Sequence, residues 1–124
     1  MSVPVDLTEL VRVLEGYDYA YLTTTDAECR PHVVAVSPAV DQDGLAVAEV
    51  GRRSRANATA RPQVVLVWPP ADRSGYTLIV DATCTEADAA AIRLVPTRAV
   101  LHRPAPSKPV ATTGCGSDCV EVAL

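Results

Sequence analysis

Three arginines and a serine stand together in the middle of the sequence, and their types and spacing suit a site for a phosphate group. Arg52, Arg53, Ser54 and Arg55 concentrate positive charge in a chain whose net charge is −4. Ser54 fits the N-cap of a short helix that ends before Pro62. The unpaired N–H groups and the dipole of a helix start favour anions. We therefore predict a phosphate site here, and a solvated basic loop is the alternative.

A second group of candidate residues lies near the end of the sequence, where three residues separate Cys115 from Cys119. Two thiols at this spacing can form a reversible disulfide or supply two ligands to zinc. Zinc needs a second pair of ligands, which Cys29 and His32 supply only if the tail folds back. No metal site is therefore predicted. The simplest interpretation is an inert tail, whose last residues, 120–124, pack on a barrel edge or on a partner subunit.

Short strands and two small helices must position these residues. Asp6 and Glu9 fit a capping box before a short amphipathic helix. Hydrophobic runs between turn signals then predict six strands, over residues 19–25, 32–40, 45–50, 63–68, 76–85 and 92–102. Many short strands at close spacing indicate a closed or nearly closed antiparallel barrel. The predicted fold class is therefore mainly β with short helices, with a barrel domain over residues 1–103 and a tail over residues 104–124 that contains Pro and Gly.

The composition excludes several functions. Hydrophobic residues make up 48% of the 124 residues, whereas aromatic residues make up 4% and Phe is absent. An acidic chain with few aromatic residues lacks both the basic surface and the stacking platforms that nucleic-acid binding uses. We find neither a secretory signal nor an apolar run of membrane-spanning length, so we expect a cytoplasmic protein with no membrane partner. No pattern indicates a nucleophile or an acid–base pair, so the catalytic residues are unassigned.

The order of the predicted elements resembles the pyridoxamine 5'-phosphate oxidase-like split β-barrels. The likeness rests on the segment Arg30-Pro31-His32-Val33-Val34-Ala35-Val36, on the turn to Gly44, and on the Arg53-Ser54-Arg55-Ala56-Asn57 segment that leads into Arg61-Pro62-Gln63. It implies a six-stranded antiparallel split β-barrel that forms a homodimer. It also implies FMN, or a deazaflavin, bound in a cleft between the subunits. Many members transfer hydride, and others have no demonstrated activity.

The resemblance also implies a set of cofactor-binding residues. The second predicted strand would lay its backbone along the edge of the flavin ring, and the arginine cluster would hold the phosphate. The implied residues are His32, Val33, Val34, Ala35, Val36, Arg52, Arg53, Ser54, Arg55 and Asn57. Two positions depart from the family pattern: Ser54 stands where a Lys is common, and Ala48 with Glu49 stands where hydroxyl side chains are common.

The leading interpretation is a flavin- or deazaflavin-binding oxidoreductase that transfers hydride to or from an unknown small molecule. The sequence stops short of the C-terminal segment that binds pyridoxamine phosphate in the true oxidases, so vitamin B6 oxidation is not expected. Two alternatives remain. One is a non-catalytic ligand-binding or sensor module on the same barrel, favoured by Glu49 and the missing Lys. The other is a thiol-redox or metal-responsive protein that acts through Cys115 and Cys119.

Overall fold

The computed structural model describes residues 1–105, which form one curled antiparallel sheet with two short helical segments. A 3-10 turn at Leu7–Glu9 continues into helix α1, Leu10–Leu14, and helix α2 is Arg52–Ala60. The strands are β1 Ser2–Val5, β2 Ala20–Thr25, β3 Pro31–Val36, β4 Ala39–Asp41, β5 Gly44–Ala48, β6 Gln63–Trp68, β7 Thr77–Ala87 and β8 Ala91–His102. Cys115, Cys119 and the interpretation of the tail lie outside the described residues.

Strand pairing explains why the sheet curls. The strands follow the order β3-β2-β6-β7-β8-β5-β4, and β1 pairs with the far half of β8. β7 and β8 are long and carry two register irregularities, which increase the local twist of a sheet. The two ends of the sheet come so close that Ala35 of β3 and Ala48 of β5 line one cleft. The fold is therefore a split β-barrel, and the split lies between β3 and the end of β5.

The core fills the inside of this barrel with aliphatic side chains. Along β6 and β7, buried and half-buried residues alternate, as expected for strands with one face toward a core. The largest fully buried hydrophobic side chains belong to five strands and are Leu22, Leu45, Leu66, Leu78, Ile92, Leu94, Val47 and Val80. Trp68 contributes the aromatic ring of this core and is 2% exposed. The low aromatic content therefore reflects a narrow barrel packed with branched side chains.

The structure confirms the predicted fold class but corrects the number of strands from six to eight within residues 1–105. The predicted strand 32–40 is divided at Ser37 and Pro38 into β3 and β4. Proline lacks the N–H that a strand ladder needs, so the chain leaves the β2 ladder at this point. The additional strand β1 pairs in register from Ser2↔His102 to Val5↔Ala99. None of the helices in this part of the chain is long and apolar enough to cross a membrane.

The predicted first helix is confirmed at its start. Asp6 accepts hydrogen bonds from the backbone N–H and the hydroxyl of Thr8, at 3.0 and 2.9 Å. The backbone N–H of Thr8 lowers the pKa of the Asp6 carboxyl, and its hydroxyl adds to this effect. Leu10 is buried in the barrel core, whereas Val11 on the opposite side of α1 is exposed. The segment therefore covers one end of the barrel with a single apolar face.

Candidate functional site

β3 forms one border of the split, and its side chains alternate between the two faces of the sheet. The register pairs His32 with Thr24 and Val34 with Leu22, both of which are fully buried. Residues paired in this way point to the same face, so His32, Val34 and Val36 lie on the barrel side. Val33 is on the outer face and is 55% exposed. β3 also ends the strand order, so one side of its backbone has no neighbouring strand within residues 1–105.

A cleft of about 370 Å³ opens where β3 approaches the end of β5, and we call it the split cleft. Its lining residues are Tyr19, Ala35, Val36, Ser37, Ala48 and Glu49. Of the five β3 residues that the resemblance implied, Ala35 and Val36 line the split cleft, whereas His32, Val33 and Val34 do not. Tyr19 and Ser37 were not identified from the sequence, because nothing local shows that the chain before β2 and the chain after β3 meet at the split.

Helix α2 follows the split cleft directly in the chain, and its N-cap lies three residues earlier than the sequence predicted. Gly51 is the N-cap, and the backbone N–H of Arg55 donates to its carbonyl oxygen at 3.0 Å. The prediction of Ser54 as the N-cap is therefore wrong. Ser54 lies inside the first turn and is 1% exposed. Because serine is small, α2 can pack closely on the sheet at Ser54. The helix can therefore begin at Arg52, before the serine.

The three arginines of the predicted phosphate site do not converge on one point. Arg52 and Arg55 are three positions apart, so they share one face of α2, whereas Arg53 is rotated by about 100°. Arg52 and Arg55 line a separate groove of about 540 Å³ between α2 and the β7–β8 turn. There the Nη1 of Arg55 donates to the carbonyl oxygen of Ala89 at 3.3 Å. The groove also contains Asp88, whose carboxylate opposes anion binding.

Arg53 faces the opposite way, toward the turn between β2 and β3. Asp26 in this turn accepts hydrogen bonds from the backbone N–H groups of Arg30 and Glu28, both at 2.9 Å. The hydrogen bond from Arg30 is the main cause that lowers the pKa of Asp26, and the charges of Arg30 and Arg53 lower it further. Of the three arginines, Arg53 is therefore the one that lies on the β3 side of α2.

Asn57 is a buried structural contact of α2. Its Nδ2 donates to the Oγ1 of Thr24 at 3.1 Å, and both side chains are buried. Near the end of the helix, the Nε of Arg61 donates to the carbonyl oxygen of Thr25 at 2.7 Å. These two hydrogen bonds fix α2 against the end of β2. They occupy the amide nitrogen of Asn57, and the start of α2 lies near the split cleft because its N-cap Gly51 follows Glu49 by two positions.

Glu49 has the most unusual backbone conformation at the split cleft. Its φ is 58°, in the left-handed region that residues other than glycine seldom adopt. The backbone N–H of Glu49 donates to the carbonyl oxygen of Ala90 at 3.2 Å, which holds the residue between β5 and α2. Its carboxylate has no ion pair or hydrogen bond within residues 1–105. The fold thus holds an unpaired negative charge at the edge of the cleft.

The two cysteines in the described part of the chain are free thiols in different elements. Cys29 is exposed in the β2–β3 turn, and Cys84 is partly buried in β7. Burial raises the pKa of the Cys84 thiol, so the reactive thiolate is disfavoured. Within residues 1–105, no cluster of three or more histidine, cysteine or acidic side chains is placed to hold a metal ion.

Comparison with solved structures places this architecture in a known class of folds. An FAD-binding protein from Mesorhizobium loti superposes with a TM-score of 0.64 at 13% identity, covering 82% of this chain and 96% of that one. An F420 reductase superposes with a TM-score of 0.59 at 21% identity, covering 71% and 93%. HutZ, a heme storage protein from Vibrio cholerae, gives 0.57 at 18% identity, covering 76% and 92%. The chain has the pyridoxamine 5'-phosphate oxidase-like split β-barrel fold.

Sequence comparison identifies the family more narrowly. An uncharacterized protein of Mycobacterium bovis is 43% identical to the chain over an alignment of 132 positions, which covers 94% of this chain and 93% of that protein. An uncharacterized protein of Mycobacterium tuberculosis matches to the same extent. The chain belongs to the family of these two mycobacterial proteins. No established family profile matches the sequence.

Proposed function

We propose that the chain is a flavin- or deazaflavin-binding protein of the oxidoreductase type, which transfers hydride to or from a small molecule. The observation that carries this proposal is the split cleft, where an open strand edge and an apolar wall stand beside a helix start. Proteins of the same fold are described as an FAD-binding protein and an F420 reductase, which supports a cofactor of this class. The likeness in fold by itself does not assign an activity.

The residues at the split cleft fit such a cofactor. A tricyclic ring needs apolar contacts, which Ala35, Val36 and Ala48 provide at the cleft, and hydrogen-bonding groups for its polar edge, which the open backbone of β3 provides. Its phosphate would lie against Arg53 and the first N–H groups of α2, away from Glu49. Arg52 and Arg55 face another groove and have no part in this arrangement.

The chemistry of the proposed reaction belongs to the cofactor, which accepts or donates hydride at its ring when bound. The chain binds and orients the ring along β3. It also limits the access of water, because Tyr19 and the aliphatic side chains cover part of the cleft. Free thiols at Cys29 and Cys84 suit a reducing compartment, which supports a cytoplasmic location as part of this proposal.

Cofactor titration tests the proposal. Purified protein is titrated with FMN, FAD and F420, and quenching of cofactor fluorescence gives each Kd. We expect one of them to bind, and Arg53→Ala to weaken that binding at least about tenfold, because a charge-assisted hydrogen bond contributes about 1.5–3 kcal/mol. Arg12→Ala is the matched control, since Arg12 lies exposed on α1 and, within residues 1–105, has Glu9 as its one ion-pair partner. Failure of all three cofactors to bind would contradict the proposal.

A non-catalytic binding module is the second candidate, and the unpaired Glu49 favours it because a carboxylate near the cleft weakens phosphate binding. The two candidates differ in turnover. A catalytic protein reduces its bound cofactor with a hydride donor, or oxidises it with an acceptor, faster than the free cofactor reacts. A binding module leaves those rates unchanged or slows them. A screen with nicotinamides as hydride donors and quinones as acceptors, followed by the absorbance of the bound cofactor, distinguishes the two candidate functions.

We also propose that the chain forms a homodimer through the outer face of its sheet. Tyr19, Tyr21 and Val33 are large exposed side chains on or next to this face. The register extends it across β2 to the half-buried Val65 and Val67 of β6. Tyr19 borders both this face and the split cleft, so a second copy seated here would also extend the wall of the cleft. The partner in this proposal is therefore another copy of the chain.

A further inference from the structure

We propose that the split cleft binds the cationic group of an organic ligand, with Glu49 as its ion-pair partner and Tyr19 as its aromatic wall. This proposal adds a ligand class to the proposed function. It rests on the proposed function only for the claim that this ligand is the substrate. The ligand class is a protonated amine or related cation on a small apolar or aromatic body. The binding itself does not require the cofactor.

The charge of the cleft is the first observation. Among the six lining residues, Glu49 is the one with an ionisable acidic or basic side chain at neutral pH, and the others are a tyrosine, a serine and three small apolar residues. Arg52 and Arg53 follow Glu49 closely in the sequence, but neither lies within 4.0 Å of its carboxylate, the limit for a salt bridge. The negative charge is therefore available to a ligand in the cleft.

The backbone at Glu49 is the second observation. A left-handed conformation strains a residue other than glycine, and such strain is concentrated at functional positions. Glycine or asparagine would relieve this strain and would not place a carboxylate at the cleft. The conformation instead holds the acidic side chain at the border of the split cleft, beside the side chains of Ala48 and Tyr19 that also line it.

The aromatic pair beside the cleft is the third observation. The rings of Tyr19 and Tyr21 meet edge to face, with centroids 5.4 Å apart and an interplanar angle of 78°. The hydrogen bond between their hydroxyls, 3.3 Å long, is the main cause that raises the pKa of Tyr19, so the Tyr19 ring remains neutral at physiological pH. A neutral phenol ring attracts cations through its face. Tyr21 thus fixes the orientation of the ring that Tyr19 presents at the cleft.

Three probes of equal size separate charge from shape: benzylamine as the cation, benzyl alcohol as the neutral analogue and benzoate as the anion. Each is titrated into the cofactor-free protein at neutral pH and followed by NMR shifts of the backbone amides of Ala35, Ser37, Ala48 and Glu49. We expect benzylamine to bind at least about fivefold more tightly than benzyl alcohol, from the combined ion pair and cation–π contact. Benzoate should bind more weakly than either.

Variants assign this preference to the cleft. Glu49→Gln should remove the advantage of benzylamine, and Glu49→Asp should keep part of it. Glu28→Gln is the matched control, since it removes one negative charge from the exposed β2–β3 turn and should leave the preference unchanged. Equal affinity for benzylamine and benzyl alcohol, or an unchanged preference in Glu49→Gln, would overturn the inference.

The same variants separate this inference from the proposed function. Glu49→Gln should bind the flavin or deazaflavin at least as tightly as the unaltered chain, because it removes a negative charge from the cleft that an anionic cofactor would enter. If no cofactor binds but the preference for benzylamine depends on Glu49, the cofactor proposal fails and the cation site stands. If a cofactor binds but benzylamine has no advantage, the cation site fails and the cofactor proposal stands.

Discussion

At the scale of single residues, the polar pair between Asn57 and Thr24 stands out because its surroundings are aliphatic. Thr24 is fully buried at the end of β2, and Asn57 is 5% exposed on α2. Every buried side-chain nitrogen and oxygen in residues 1–105 has a partner, so removing one member leaves the other unsatisfied. The sequence identified Asn57 only by family resemblance, as a cofactor contact. Its hydrogen bond to Thr24 depends on how α2 crosses the sheet, which local sequence does not reveal.

We predict that Asn57→Ala lowers the free energy of unfolding by about 1–3 kcal/mol, because the Thr24 hydroxyl then loses its buried donor. Denaturant unfolding followed by Trp68 fluorescence measures the change. Thr59→Ala is the control on the same helix, since Thr59 is exposed and donates only to the backbone of Arg55, and it should change stability by less than about 0.5 kcal/mol. Equal effects of the two substitutions would argue against this role for Asn57.

At the scale of secondary-structure elements, the sequence predicted most of the sheet but not the meeting of its distant parts. β2, β6, β7 and β8 were recognisable because hydrophobic runs with turn signals have a local cause. β1 was missed, since it is short, contains Pro4, and pairs with β8 about a hundred positions away. The arginine cluster was located correctly but interpreted as one charge centre. Because α2 begins at Arg52, helical periodicity places the arginines of the cluster on two different faces of the helix.

The tight β4–β5 turn depends on Gly44, whose φ is 135°. Residues with a side chain rarely adopt this φ. A Cβ added there would lie 2.5 Å from the carbonyl oxygen of Leu94. We predict that Gly44→Ala destabilises the chain by more than about 1 kcal/mol, since the new methyl must displace backbone of β8. Thermal unfolding measures the loss.

Gly16→Ala is the comparison for this prediction. Its added Cβ would meet only the carbonyl oxygen of Val13 at 3.6 Å, an ordinary contact distance. We expect the midpoint of unfolding to change little in this variant. If the midpoint of unfolding falls as far in Gly16→Ala as in Gly44→Ala, the loss of stability in Gly44→Ala does not come from the contact with β8.

At the scale of the whole molecule, the outer face of the sheet exposes Tyr21 and Val33 on two neighbouring strands. A hydrophobic face with aromatic residues near its centre is typical of an interface between proteins. The face begins at β3, where the split cleft also begins, so assembly and ligand binding would share a border. The sequence indicated a dimer by family resemblance alone, because exposure of Val33 and Tyr21 depends on which strands lie side by side.

We predict a dimer of the unaltered chain and a monomer of the double variant Tyr21→Glu with Val33→Asp, because two charges at the centre of an apolar interface lose their hydration. Light scattering after size-exclusion chromatography measures the mass. Val11→Asp is the control, since Val11 is equally exposed, at 56%, but lies on α1 away from this face. A monomeric unaltered chain, or a dimer that survives the double variant, would contradict the prediction.

The free backbone edge of β3 has a consequence for the evolution of this fold. A ligand that is recognised by main-chain N–H and carbonyl groups places little selection on the side chains of the strand that binds it. Relatives can then replace almost every residue of that strand and keep the binding geometry. Two solved structures share the architecture with this chain at 13 and 21% identity. Substitutions that change ligand preference would then accumulate at the other border of the cleft, where the side chain of Glu49 stands.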